Sequence, residues 1–490
     1  MFEKITPEEA GVSSSDILSF VKMLDEYEFN THSIIMTKGD NLFFEAYYKP
    51  FKENFIHRMY SVSKTFIAVA VGLAITEGLL KPDDIIADFF PEFKNDTTDS
   101  LYDECTIMDM LTMQSNLGVG VNWWGKFEKR VGAYYSRNSH KVPGIMYWYD
   151  SIGSFLLGCI IEKLTGMDFL EYLKEKVLLK IGFSKESFTL REPGGFTVGD
   201  SGVMCTARDL ALFARFIMKK GEWDGVRYID RDFMEKLTTK QVDNSRLGDF
   251  NLYNSRGYGY LTWITDKNGF SLIGMGDQLA VCDFENDFMF VITSDNQANR
   301  AARHIIYHEL YRHFIPKIKK APLKENKDAL NELLKYKDNL ILTVQRGDKT
   351  SSLKDRINNI TYSAMENSLG ISYFKVSINE DEGEFIFKMN EKEITLPFKL
   401  GDNKLCKFSF GKRAKYDMMG VFEDGEYDCA VSAAWADEHT LSIKAQVIDT
   451  YFGCLRVYIS FADDRAVVKM VRSGQYVFDG MEGYVIGIKK

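Results

Sequence analysis

In the stretch "HRMYSVSKTFIAVAVGLAITEGLL", Ser61 and Lys64 stand three positions apart at the head of a long apolar run. A serine hydroxyl is a useful nucleophile only when a nearby base takes its proton, and an amine is a base only where its surroundings favour the neutral form. On a helix, positions i and i+3 share a face, so a lysine at this spacing stands one turn above the serine. The free N–H groups and positive dipole end of a helix start also favour a developing oxyanion. A structural reading competes: Ser61 caps the helix and Lys64 reaches out to water.

Spacing alone does not decide, because S-x-x-K occurs five times, also as Ser19–Lys22, Ser351–Lys354, Ser372–Lys375 and Ser409–Lys412. Ser372 and Ser409 fall in strand-like runs, where residues three apart project to opposite faces. Ser19 lies late in a surface helix and Ser351 in a charged stretch. Only after Ser61 does the chain continue with apolar residues almost all round the helix, from Val62 through Phe66, Ile67, Val69, Ala70, Leu73 and Ile75. That pattern predicts a central, buried helix.

Further residues have chemical potential. "PGIMYWYDS" places Tyr149 and Ser151 just before an apolar helix, and a phenol beside an ammonium can shuttle a proton. "LIGMGDQ" offers a glycine-rich strand edge at Gly274 and Met275, where a substrate can approach backbone N–H groups. Trp123 and Trp124 in "GVNWWGKF" are expected to line the substrate cleft, with packing in the core as the alternative. "RHIIYHELYRH" carries His304 and His308 four apart, with Glu309 and His313 nearby, which is zinc-compatible spacing. Its order is H-x-x-x-H-E and not H-E-x-x-H, so these histidines are expected as solvated or capping groups, and no metal is assigned.

The elements that must position these residues follow from periodicity. A helical pattern "SSSDILSFVKMLDEYE" precedes two strand-like runs divided by Gly-Asp, a helix followed by a β-hairpin. From Ser61 to about Gly221 helical signatures dominate, each closed by a glycine just past its end. Strand patterns return between Gly257 and Asn296, and "RAARHIIYHELYRHFI" reads as one closing amphipathic helix. This order suggests a single sheet supplied by both ends of one domain, 1–318. A lysine-rich segment, 319–345, reads as a helical linker. Beyond it, 346–490 shows short alternating strands with turns between them, expected as an antiparallel barrel or sandwich.

At 490 residues the chain exceeds one ordinary core, and 45% hydrophobic with 27% charged residues is a globular composition. A formal charge of −9 leaves no electrostatic footprint for nucleic acid or anionic lipid, so neither partner is expected. The apolar run from Phe66 to Thr76 is short of the ~20 residues needed to cross a bilayer. The N-terminus has no basic region followed by a long apolar one, so no signal peptide is expected and the location is expected to be cytoplasmic. Seven scattered cysteines, none paired as C-x-x-C, are expected as reduced thiols. Oligomeric state is not legible.

Taken in order, "TPEEAGVSS", "YSVSKTF", "TIMDMLTMQSNL", "PGIMYWYDS" with "LLGCIIEKLTG", "GVMCTARDLALFARF", "GYGYLTW" and "GMGDQ" resemble the serine β-lactamase and penicillin-binding-protein superfamily, in its β-lactamase-like esterase and amidase branch. The resemblance covers residues 1 to about 315. It implies an α+β fold: an antiparallel sheet flanked by helices, with a helical subdomain, followed here by the smaller all-β domain. It places the nucleophile on Ser61, its lysine on Lys64 and the second-motif tyrosine on Tyr149, with Ser151 where asparagine is more usual. The implied reaction is acyl transfer through an acyl-enzyme on Ser61, with the N–H groups of Ser61 and Met275 holding the oxyanion and no cofactor. The substrate is then a small ester or amide. The alternatives are a D-amino-acid peptidase, a weak β-lactamase, or a non-catalytic ligand sensor. Where β-lactamases and D-alanyl peptidases carry Lys or His two residues before a glycine, this chain has Leu272, which cannot hold a substrate carboxylate.

Overall fold

The computed structural model describes the chain apart from residues 1, 95–97, 118–129, 194, 246–252, 267–268, 416–421 and 475–476. The described residues form two compact units, the first from 1–296 and 300–340 and the second from 297–299 and 341–490.

In the first unit, helix α1 (Ser14–Glu26) starts at Ser13, whose hydroxyl accepts the Ser15 N–H. It leads into the hairpin β1 (Thr31–Lys38) and β2 (Asn41–Tyr47). Helices α2 (Ser63–Thr76), α3 (Ile152–Thr165) and α4 (Ala207–Met218) make up the middle. Strands β3 (Phe270–Gly274), β4 (Gln278–Asp283) and β5 (Phe288–Ser294) then return, and β5 pairs antiparallel with β1. The seven-stranded sheet thus joins both ends of the unit, in the order β2-β1-β5-β4-β3 with a two-residue strand at each edge. Phe20 of α1 lies on Phe290, and Phe314 of the closing segment lies on Phe288. These are alternate residues of β5 and therefore share one face of the sheet.

α2 is buried from Ser63 to Ala74 because it has no polar face to offer water. Phe66 stacks on Phe213 of α4 at 3.6 Å between centroids. A Cβ at Gly158 or Gly199 would stand 3.0 or 2.8 Å from Ile67, so these two glycines set how closely α2 is packed.

The closing helix departs from expectation. It is α-helical as α5 (Ala302–Glu309), but widens to a π-helix over Leu310–Phe314 before a short 3-10 turn. Helix α6 (Lys327–Asp338), in the segment expected as a linker, packs on α1, where the Tyr336 hydroxyl donates to Asp25. Among the described residues no helix is long and apolar enough to cross a membrane.

Apart from one helical turn at Lys354–Ile357, the regular elements described in the second unit are strands. Its ten strands are β6 (Thr361–Ala364), β7 (Ile371–Asn379), β8 (Glu382–Met389), β9 (Lys392–Leu400), β10 (Lys404–Ala414), β11 (Phe422–Trp435), β12 (Thr440–Val447), β13 (Cys454–Ala462), β14 (Arg465–Ser473) and β15 (Gly483–Lys489). Neighbours pair antiparallel in the order β9-β8-β7-β6-β15-β14-β13-β12-β11-β10. Lys399 and Leu400 of β9 also pair with Ser432 and Ala433 of β11, which closes the sheet into a barrel. Alternation fills it: Phe374, Val376 and Ile378 point inward from β7, and Val457 and Ile459 from β13. All seven cysteines are free thiols, six of them buried and Cys406 half-buried.

Candidate functional site

Ser61 does not cap α2. It is the middle residue of a 3-10 turn, Tyr60–Val62, that feeds the helix without a side-chain cap. Tyr60 holds φ at +48°, a left-handed conformation uncommon for a bulky residue and enforced by its surroundings. Those surroundings are visible on both sides. The Arg58 guanidinium packs on the Tyr60 ring at 4.5 Å and donates to Ser201 O at 3.0 Å. The Met59 N–H donates to Val203 O at 2.8 Å, and the Val203 N–H donates to Ser63 Oγ at 2.9 Å. Residues 58–63 are thereby pinned to residues 201–203.

Lys64 does not reach out to water. It is 1% exposed, and its ammonium donates to Ser61 Oγ at 3.2 Å and to the Asp200 carbonyl at 2.9 Å. It also lies over the Tyr149 ring at 5.2 Å. Tyr149 is placed by aromatic packing on Trp263 (5.2 Å between centroids) and, edge-on, on Tyr258. Ser151 is the residue before α3, and the Ser154 hydroxyl donates to its carbonyl. Between them, Asp150 accepts from Ser115 Oγ at 2.9 Å and from the Gly153 N–H at 3.0 Å, which fixes the Tyr149–Ser151 turn.

Gly274 ends β3 beside the Ser61 turn. A Cβ there would stand 2.2 Å from the Met59 carbonyl oxygen, so only glycine lets the strand edge approach so closely. Met275 follows in the hairpin, with Gly276 at φ +74°. The structure therefore brings Ser61, Lys64, Tyr149 and Gly274 together around one turn. Trp123 and Trp124 lie outside the described residues.

Behind Lys64 is a buried charge cluster that sequence reasoning missed. Arg130 pairs with Asp200 at 2.9 Å, and its guanidinium covers the Phe155 ring at 4.1 Å. Burial by itself would raise the Asp200 carboxyl, yet Arg130, with Lys64 and Arg58 adding, holds it below the usual range. Burial pushes the Glu192 carboxyl up to about 7 even with Arg130 opposing it. The partners stand 70 and 136 positions apart in the chain, so no local spacing signals them.

Of the histidines expected as solvated or capping groups, the structure gathers His308 and His313 with Glu309 and leaves His304 out of the group.

The family model described as Beta-lactamase matches residues 19–311. A 6-aminohexanoate-dimer hydrolase of Paenarthrobacter ureafaciens is 24% identical over 227 residues, which cover 42% of this chain and 57% of that protein. Penicillin-binding protein 4* of Bacillus subtilis (strain 168) is 23% identical over 193 residues, 34% of this chain and 39% of that one. The chain thus spans about half the length of these curated relatives. Among solved structures, a Bacillus anthracis protein provisionally named as a 6-aminohexanoate-dimer hydrolase superposes with a TM-score of 0.53 at 18% identity, covering 68% of this chain and 88% of that one.

Proposed function

This chain is a member of the Beta-lactamase family, and from that premise we propose that it is a serine hydrolase that forms an acyl-enzyme on Ser61 and cleaves an ester or amide of a small substrate. The observation that carries the reading is the 3.2 Å contact between Ser61 Oγ and a lysine amine enclosed by protein. Once that amine has given up its proton the contact reverses, and the hydroxyl donates to nitrogen as it attacks the substrate carbonyl. Lys64, with the Tyr149 phenol as a second carrier, then passes the proton to the departing amine or alcohol. Water repeats the sequence on the acyl-enzyme, releasing the acid and restoring Ser61. The N–H groups of Ser61 and Met275 are the oxyanion donors in this reading, and the close approach at Gly274 supports it. The nucleophile, base and oxyanion donors of this reading are all groups of the chain, so the proposed reaction needs only substrate and water.

Substrate preference follows from β3. Leu272 and Ile273 are buried and apolar, so this strand edge offers no cation to a substrate carboxylate. Small neutral or apolar acyl groups are the expected substrates, with β-lactams and D-alanyl termini turned over poorly. A relative named as a 6-aminohexanoate-dimer hydrolase makes that dimer, with other linear amides, the first to try.

The test pairs wild type with Ser61→Ala, against a fluorophosphonate probe and a panel of short nitrophenyl esters, linear amides, D-amino-acid amides and a chromogenic cephalosporin. The expected result is labelling and turnover in wild type, with hydrolysis lost by about 10⁴-fold or more in the variant. Retained hydrolysis in Ser61→Ala sinks the assignment. Labelling without turnover of any substrate makes the protein a sensor, and a cephalosporin as best substrate overturns the reading of Leu272.

A further inference from the structure

We propose that His308, Glu309 and His313 form a binding site for a divalent transition ion of the zinc class, on the closing helix and independent of the Ser61 chemistry. One donor atom from each of the three lies within 4.8 Å of the other two. The reason is the local backbone. Around a regular α-helix, residues five apart point about 140° away from each other. The π-helix over Leu310–Phe314 closes i to i+5, and this turns His313 back onto the face of His308. The two rings meet edge to face at 5.5 Å between centroids. The i, i+4 pair that the sequence spacing offers is not the one used: His304 packs instead against the Tyr253 ring at 5.7 Å.

A second observation points to a ligand. His308 Nδ1 lies 3.1 Å from the Tyr253 hydroxyl, and the Tyr253 ring lies near-parallel to Tyr307 and Tyr311, 5.9 and 5.5 Å between centroids. When the imidazole donates Nδ1–H to that phenol, Nε2 carries the lone pair and faces away from it. Hydrogen bonding of the remote nitrogen is the usual way a metal-binding histidine is oriented.

The donor set selects the ion. Two imidazoles and one carboxylate suit zinc and its neighbours, whereas calcium and magnesium prefer oxygen alone. Three protein ligands leave a fourth tetrahedral position for water. Bonds of about 2.0–2.2 Å draw the donors to about 3.4 Å apart, which these side chains, exposed for both histidines and half-buried for Glu309, reach by changing rotamer. A bound ion links the end of α5 to the π turn and so stabilises the folded unit.

The experiment titrates Zn²⁺ into the full chain, stripped with a chelator, at about pH 7.5. Calorimetry reads stoichiometry and affinity, and thermal unfolding reads stabilisation. The expected result is one ion per chain at micromolar affinity and a rise in Tm. His308→Ala and His313→Ala should each weaken binding at least about tenfold and remove the rise, whereas His304→Ala should bind as wild type; Tyr253→Phe, which keeps the ring stack, should weaken binding by less. Absence of binding below millimolar Zn²⁺, or a His313→Ala variant that binds as wild type, overturns the site. Equal loss in His304→Ala also overturns it, since the ion would then sit on the i, i+4 pair.

Discussion

The surroundings of Ser61 and the interior of the barrel are built on opposite rules. Around Ser61 the protein buries Arg58, Lys64, Arg130, Glu192 and Asp200, each a group that costs several kcal/mol to remove from water unless compensated. In the barrel, charge stays on the outer face of alternating strands. Among its described residues the one buried charged side chain is Lys444, whose ammonium is satisfied by Thr343 O and Oγ1. Under the function proposed above, these charged groups behind Ser61 are a cost that the fold accepts for chemistry.

That contrast can be broken in graded steps. The largest effect is expected at the pair itself: Lys64→Met should lower kcat/KM by roughly 10²–10⁴-fold with the fold retained. Tyr149→Phe keeps the ring under the ammonium and removes only the hydroxyl, so a loss in its kcat assigns the phenol a proton-carrying role, and wild-type kinetics reduce it to packing.

Next comes the supporting cluster. Arg130→Met strands the Asp200 carboxylate and should cost about 3–5 kcal/mol in denaturant unfolding. A double variant with Asp200→Asn should recover part of it, and failure to recover any would mean that the pair is not coupled.

The barrel should respond by shape alone. Ile459→Ala, inside, is expected to cost about 2–5 kcal/mol, whereas Val467→Thr, on the outer face of β14, should change stability by less than about 0.5 kcal/mol. Equal costs would contradict the alternation.

A further effect is a pH dependence. Glu192 titrates near 7 in the folded protein against 4.5 for an ordinary glutamate. Between those values the folded state binds more protons than the unfolded one, so stability falls as pH rises from about 4.5 to 7 and levels off above. Glu192→Gln should flatten this slope, by up to about 3 kcal/mol across the window. An unchanged stability profile between pH 4.5 and 7 would show the carboxyl to be ionised throughout.

Local pattern carried a good deal of this architecture. The α1–β1–β2 order, the apolar run of α2, the closing glycines at Gly166, Gly182 and Gly221 with their positive φ, and most strands of the barrel follow from periodicity and turn chemistry, which neighbours in sequence control. Ser61, Lys64 and Tyr149 were nameable because each sits in a short motif. The π-helix was not legible, since "RHIIYHELYRHF" has an unbroken helical pattern and the widening adds no residue type of its own. β6, four residues long, was likewise too short to show a period.

What the sequence determined by itself was most of the set of elements and the candidate pair of Ser61 and Lys64. Tertiary structure alone decided that Lys64 turns inward to Ser61 and the Asp200 carbonyl, that Arg130 and Asp200 meet, and that Gly274 closes on Met59. The physical reason is distance along the chain. A capping or amphipathic preference is settled within one or two helical turns, but whether an amine finds water or a buried partner depends on which residues, some seventy to two hundred positions away, the packed core brings to it.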